Sequence, residues 1–358
     1  MKPKDRVKAA IQNREPDRVP VTVLGSSADY KLAGVDFEEA MMDPDLVVEC
    51  IDKKQEIFPD NDIIQPIAPG QMVSAWKAMG AEADILSTGW FDVTEPGVEN
   101  KEELEALDFD KVLENVLESP LFQTGLEAIE RISDRYGDEY LISSAWESGW
   151  TTAGRVIDTE KQMILLKDEP EFVKELANFM NQIWIEAGRK YIEAGLDMVM
   201  TPDPNSMTAL ISPDIYKEVV WPLQMEMGKD IKESGAYWHL HICGDAEPLV
   251  ELIGETGCDM FSFNQRTRMS EVVRKVGDWV TSCGNVNPGR ILRGNPEEIK
   301  ELAKECIRIA APGGGYILMP GCDTAENTPK ENYQALIDAA LEHGEYPIDR
   351  VTGKTSVE

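Results

Sequence analysis

The sequence predicts an α/β fold, a single (β/α)8 TIM barrel, and three observations carry that prediction. Short β-rich runs recur eight times along the 358 residues. Amphipathic segments separate them, so the strands pair in parallel through right-handed crossovers, and eight such units match a closed barrel better than an open sheet. No GxGxxG follows an early run, which weakens the dinucleotide-binding alternative.

Residues 1–18 stand ahead of the first run as an N-terminal extension. The runs are VPVTVLG from Val19, DIIQPI from Asp62, YLISSAW from Tyr140, DMVMTPD from Asp197, YWHLHIC from Tyr237, DMFSFN from Asp259, WVTSCGN from Trp279 and YILMPGC from Tyr316. The clearest helix is EPEFVKELANFMNQIWIEAGRKYIEAG, where Phe172, Leu176, Phe179, Met180, Ile183 and Ala187 fall at helical spacing and Gly195 stops the run. Asp43-Pro44, Ser212-Pro213 and Asn295-Pro296 each place a capping side chain before a proline at the first helical position. Asn295 to Glu298 and Thr328 to Glu331 have capping-box spacing. The GGG at 313–315 reads as a helix-to-strand turn. Residues 70–120, containing STGWFDVTEPGVENKEEL, fit the alternation badly. They read as an insertion after an early strand, either a lid over the catalytic face or an ordinary surface excursion. The whole chain, 1–358, is expected to form one domain.

Lys plus Arg number 35 against 66 Asp plus Glu, a net charge of −31 spread along the chain. Such a field opposes nucleic acid, whose binding rests on cations neutralising phosphates. The opening residues lack the apolar centre of a signal peptide, and no stretch approaches about 18 consecutive apolar residues, so a cytoplasmic protein without a membrane partner is expected. In that compartment the six cysteines are free thiols or metal ligands. Cys50, Cys258, Cys283 and Cys306 are assigned to packing.

The fifth run ends in HLHICGD. Side chains alternate along a strand, so His239, His241 and Cys243 share one side, with Leu240 and Ile242 on the other. His241 and Cys243 lie at the C-terminal rim, where barrels of this class hold their active sites. His239 lies one layer deeper, as a packed, hydrogen-bonded histidine. The eighth run places Cys322 at the same rim. A His, Cys, Cys set with one open position is the donor set of catalytic zinc, and soft thiolates favour zinc over magnesium or calcium. His343, at the end of the last helix, interacts with its carbonyls instead.

Around this mouth, Trp146, Trp150, Asn205, Asn264 and Gln265 either shape a substrate pocket or pack beneath a loop. Asp203 and Glu147 follow the fourth and third runs, where a general acid or supporting carboxylate would sit. Asn285 and Asn287 in GNVNP are candidates for cofactor contact.

With HICGD, GNVNP and PGCDTAENTPKEN in order along the second half, and REPDRVPV at the start, the chain resembles the uroporphyrinogen decarboxylase superfamily. Within it, the chain is most similar to the zinc-dependent cobamide methyltransferases. The resemblance implies a (β/α)8 barrel with an N-terminal helical extension. It also implies a zinc site of type H-x-C with a distant Cys, which maps onto His241, Cys243 and Cys322. The decarboxylase branch carries arginines after the first strand, whereas VLGSSADYKLAG here has none. Relatives tend to carry glutamates at the end of strand six, whereas this chain reads Phe263-Asn264-Gln265.

The implied function is methyl transfer between a small substrate and the cobalt of a cobamide. The substrate is a thiol acceptor or a methylated donor such as a methoxyaromatic. No DxHxxG corrinoid motif occurs, so the corrinoid is expected on a separate carrier protein. A metal-free tetrapyrrole decarboxylase and a non-catalytic corrinoid- or tetrapyrrole-binding protein are the competing readings.

Overall fold

The computed structural model describes residues 1–68, 70–85 and 91–349. Nine strands are numbered in chain order: β1 (Ile63–Ile64), β2 (Glu82–Ile85), β3 (Phe91–Glu95), β4 (Leu141–Ala145), β5 (Met198–Pro202), β6 (Tyr237–Ile242), β7 (Met260–Phe263), β8 (Thr281–Cys283) and β9 (Tyr316–Ile317). Seven form one parallel, curled sheet in the order β1-β4-β5-β6-β7-β8-β9, while β2 and β3 make a separate antiparallel pair. Helices surround the sheet, giving the TIM-barrel-type α/β fold that the alternation predicts.

The first predicted strand closes the ring without forming a regular ladder. Toward β9, Thr22 N–H donates to Leu318 O at 3.0 Å and Leu318 N–H to Pro20 O at 2.9 Å. Toward β1, Asp62 N–H donates to Val21 O at 2.8 Å. Side chains then take over: Val21 N–H donates to Asp62 Oδ2 at 2.8 Å and Val23 N–H to Asn61 Oδ1 at 3.0 Å. Pro20 has no N–H to give, and carboxylate and amide oxygens replace ladder carbonyls for its neighbours. The segment therefore holds the eighth strand's place as isolated bridges.

Strand alternation divides the apolar residues into two sets. Leu24, Ile63, Leu141, Ala145, Met198, Met200, Met260, Cys283, Ile317 and Met319 fill the barrel interior. Trp238, Leu240, Ile242, Phe261 and Phe263 belong to the larger core shared with the helices. The helix Pro3–Ile11 adds Val7, Ala10 and Ile11 to the interior set, and Thr281 Oγ1 donates to Ala10 O at 3.0 Å. This extension plugs the N-terminal end of the barrel, which leaves chemistry to the C-terminal end.

The capping residues mostly act as their spacing predicts. Asp43, Ser212 and Asn295 accept from the N–H groups of Asp45, Ile215 and Glu298. The Thr328–Glu331 box does not form, because that helix begins at Lys330 with Pro329 at its cap. Gly313, Gly314 and Gly315 have φ of 90°, 91° and 73°, a left-handed turn into β9 that favours glycine.

Residues 70–120 contain a helix at Val73–Ala78, the β2–β3 pair and helices at Lys101–Glu105 and Phe109–Glu118. Ser87 to Trp90 of the quoted segment lie outside the described residues. Phe109 packs edge-on against Phe179 of the long helix Pro170–Glu193, with ring centroids 5.4 Å apart. No helix among the described residues is long and apolar enough to cross a membrane.

Candidate metal centre

β6 turns Trp238, Leu240 and Ile242 outward and His239 and His241 inward. The close seat of Trp238 needs Gly228 on the neighbouring helix, where a Cβ would stand 2.1 Å from the indole. Gly244, at φ 74°, bends the chain immediately after Cys243. On the far side of the ring, Gly321 packs against the backbone of Asn264 and Asn285, where a Cβ would meet atoms at 3.1 Å. Cys322 follows it into the mouth.

The donor atoms of His241, Cys243 and Cys322 lie within 4.8 Å of one another. His241 Nε2 is 3.2 Å from Cys243 Sγ, and Cys243 Sγ is 3.3 Å from Cys322 Sγ. Tetrahedral zinc, with bonds of about 2.0–2.1 Å to nitrogen and 2.3 Å to sulfur, separates its donors by roughly 3.5–3.8 Å. Both separations at Cys243 need to open by only a few tenths of an ångström, and all three atoms lie within 4.8 Å, so the donor set fits the metal in chemistry and size.

The two sulfurs are hydrogen-bonded to each other. Cys322 is driven down to about 4, first by the hydrogen bond from Cys243 and then by His241, while the Cys243 thiol is pushed up by the same pairing and by burial. One thiolate is thus already favoured, and a cation joining the pair displaces the second proton.

His241 Nδ1 lies 2.7 Å from Ser262 Oγ, which sits directly opposite it on β7. That contact orients the ring with Nε2 toward the sulfurs. Ser262 did not stand out in the sequence, although its inward position in DMFSFN matches that of His241 one strand earlier. Asp323, beside Cys322, accepts from Ser26 N–H at 2.8 Å and ties the rim to the loop after residue 24.

His239 is buried as expected, but neither ring nitrogen has a hydrogen-bond partner among the described residues. Its strand neighbours in register are Met200 and Met260, which offer no good acceptor. Burial, reinforced by His241, lowers its pKa to about 3, so it is a neutral imidazole.

The other sequence candidates separate by environment. Trp146 stacks on Trp184 at 6.3 Å and presses on Gly188, facing the helices and away from the mouth. Trp150 Nε1 donates to Asn205 O at 3.1 Å, and Asn205 Nδ2 to Gln162 Oε1 at 3.0 Å, a closed buried network. Asn264 Oδ1 accepts from Arg266 N–H at 2.8 Å and so turns back on its own loop. Asp203 is fully buried, with Oδ1 taking Thr151 Oγ1–H at 2.5 Å and Oδ2 taking Gln224 Nε2–H at 2.7 Å. Burial raises its pKa against these bonds. Both oxygens are engaged in joining the post-β5 loop to two helices.

Asn287 caps the helix Pro288–Arg293, and Asn285 Nδ2 donates to Thr267 O at 3.1 Å. With Gln265, Arg268, Arg290 and Cys306 they line a separate cleft between the loops after β7 and β8. Cys306 is half-buried there, while Cys50, Cys258 and Cys283 are buried.

Glu147 is buried beside the mouth and accepts from Arg155 Nε at 3.1 Å. Burial raises its pKa and the guanidinium opposes the shift. Arg155 itself, unnoticed in the sequence, lies over the Trp76 ring with its guanidinium carbon 5.7 Å from the centroid.

The parallel α/β barrel thus carries a soft three-donor cluster, a candidate metal centre, at the C-terminal ends of its strands. Residues 2–343 match the uroporphyrinogen decarboxylase (URO-D) family, and the chain belongs to that family. It is 25% identical over 345 residues to a methylcobamide:CoM methyltransferase from Methanosarcina barkeri, covering 95% of this chain and 98% of the relative. It is 26% identical over 346 residues to a uroporphyrinogen decarboxylase from Crocosphaera subtropica, covering 90% of this chain and 92% of the relative. Among solved structures, a methyltransferase from Methanosarcina mazei aligns with a TM-score of 0.83 at 24% identity, covering 96% of this chain and 99% of that one.

Proposed function

We propose that this protein is a zinc-dependent, corrinoid-linked methyltransferase, working as one barrel domain in the cytoplasm. It moves a methyl group between a small substrate and the cobalt of a cobamide carried by a separate protein. The observation that carries the reading is the convergence of His241, Cys243 and Cys322 at the barrel mouth. The relatives named as methylcobamide methyltransferases support the choice of reaction. The fourth coordination position is left to substrate, since among the described residues no further His, Cys, Asp or Glu joins the cluster.

A metal held there supplies Lewis acidity, which lowers a bound thiol's pKa or polarises an ether oxygen. The chain's own residues do the rest. Ser262 fixes the His241 ring, and the hydrogen bond with Cys243 lowers the pKa of Cys322. The excursion at 70–120 brings Trp76 to the Glu147–Arg155 pair, which fits a cover that excludes water from the mouth. Asn285 and Asn287, at the adjoining cleft, remain candidates for contact with the corrinoid or its carrier.

The test is metal analysis followed by two assays: methylcobalamin with thiols, and cob(I)alamin with methoxyaromatics. About one zinc per chain and methyl movement in one direction are expected. A zinc-free preparation that decarboxylates a tetrapyrrole would overturn the reading in favour of the decarboxylase branch. Ser262→Ala should weaken zinc by about 10- to 100-fold, read by competition with a chelating dye. Unchanged affinity would show that the serine does not orient the histidine.

A further inference from the structure

We propose that Arg155 is the anchor for a carboxylate on the substrate, so that the substrate is a carboxylate-bearing thiol or methyl ether; this rests on the methyl-transfer reading above. Arg155 lies near the end of the helix Gly149–Ile157, which follows β4. Two contacts hold its side chain and a third fixes the backbone beside it. Glu147 takes Nε at 3.1 Å, Trp76 supports the guanidinium face at 5.7 Å, and Gly97 N–H ties the adjacent Val156 carbonyl at 2.9 Å.

The Glu147 contact uses only Nε. Among the described residues neither terminal nitrogen, Nη1 or Nη2, has a hydrogen-bond partner, yet the side chain is only 23% exposed. A half-buried guanidinium with an unfilled pair of parallel N–H donors has the geometry that receives a carboxylate two-pronged. Most other arginines in this acidic chain spend their terminal nitrogens on carboxylates, as Arg189, Arg274 and Arg308 do.

The position also suits the chemistry. Glu147, which holds Arg155, follows the end of β4, and the next residue, Ser148, donates its N–H to Pro202 O at 3.4 Å; Pro202 is paired in register with His241, so the Glu147–Arg155 pair belongs to the same C-terminal end of the barrel as the cluster. Trp76 also lines a small cleft with Phe37, Ile67, Met72, Val73 and Phe91. A substrate would place its heteroatom at the metal cluster and its carboxylate on Arg155. Glu147 is then a positioning residue for Arg155.

Matched pairs test the proposal with the zinc-loaded protein. With methylcobalamin the pair is 3-mercaptopropionate and 2-mercaptoethanol; with cob(I)alamin it is 4-methoxybenzoate and methoxybenzene. Wild type should show a lower KM for the carboxylate member in the active direction. Arg155→Leu should shrink that ratio by about 10- to 100-fold, the worth of charge-assisted hydrogen bonds, and Arg155→Lys should recover part of it. Glu147→Gln, which keeps an acceptor for Nε, should preserve more of the ratio than Glu147→Leu. Equal loss on both members, or a wild-type ratio near one, overturns the anchor while leaving methyl transfer standing. If no pair is turned over, calorimetric binding of 4-methoxybenzoate to wild type and Arg155→Leu decides the anchor separately. Equal affinity, or no binding to either, rejects it.

Discussion

Cys322→Ala should purify folded, without stoichiometric zinc, and without measurable methyl transfer in either direction. The mutation removes one of three donors, the one whose pKa the Cys243 hydrogen bond lowers. Loss of an outer partner of a metal site costs about 10- to 100-fold in affinity. Loss of a direct ligand should exceed that, because His241 and Cys243 alone leave two positions to water. The fold should survive, since the Cys322 side chain is only partly buried and belongs to no core cluster. Metal analysis, the cobalamin spectrum and a thermal melt check the three parts together. Cys283→Ala is the contrasting control: Cys283 is wholly inside the barrel among methionines, so that variant should lose stability and keep its zinc. Full zinc in Cys322→Ala would remove the basis for the proposed centre.

The sequence made this cluster legible because a strand's alternation places His241 and Cys243 on one side whatever the packing, and glycines mark the turns that follow. The depth of His239 followed from the same rule, but its missing hydrogen bonds did not, since they depend on Met200 and Met260 from two other strands. The alternation of helix and strand likewise fixed the barrel, including the place of residues 19–24, while the side chains that replace its ladder come from a loop near residue 61. Which of their two readings Trp146 and Trp150 take was open in the sequence for a related reason. A residue just past a strand end can face the mouth or the helices, and only Gly188 and the Asn205 backbone decide which. Arg155 was invisible because its meaning lies in Trp76, nearly eighty residues earlier, and in what its terminal nitrogens do not touch.

The seam between residues 19–24 and β1 should be the most fragile part of the ring, and Asp62→Ala should lower stability by about 3–5 kcal/mol, as removal of one partner from a buried ion pair does. Asp62 is fully buried, with Oδ1 taking Arg6 Nη1–H at 2.6 Å and Oδ2 taking Arg18 Nη1–H at 2.7 Å. The same Oδ2 accepts Val21 N–H at 2.8 Å, the bond a neighbouring strand would ordinarily supply. Its loss therefore takes the buried counter-charge from two guanidinium groups and the acceptor from one backbone donor together. Arg6 retains Asp17, through Nε at 2.7 Å and Nη2 at 2.8 Å, so the damage should concentrate on Arg18 and the 19–24 segment. Asp62→Asn separates the two roles, because it keeps an acceptor for Val21 and removes the charge. If the ion pair dominates, both variants melt early by similar amounts. If ladder replacement dominates, Asn stays close to wild type and Ala does not. Hydrogen exchange at Val21 and Leu318 should quicken in whichever variant opens the seam. A melting curve for Asp62→Ala that overlays wild type would mean that the barrel is closed by its apolar contacts alone.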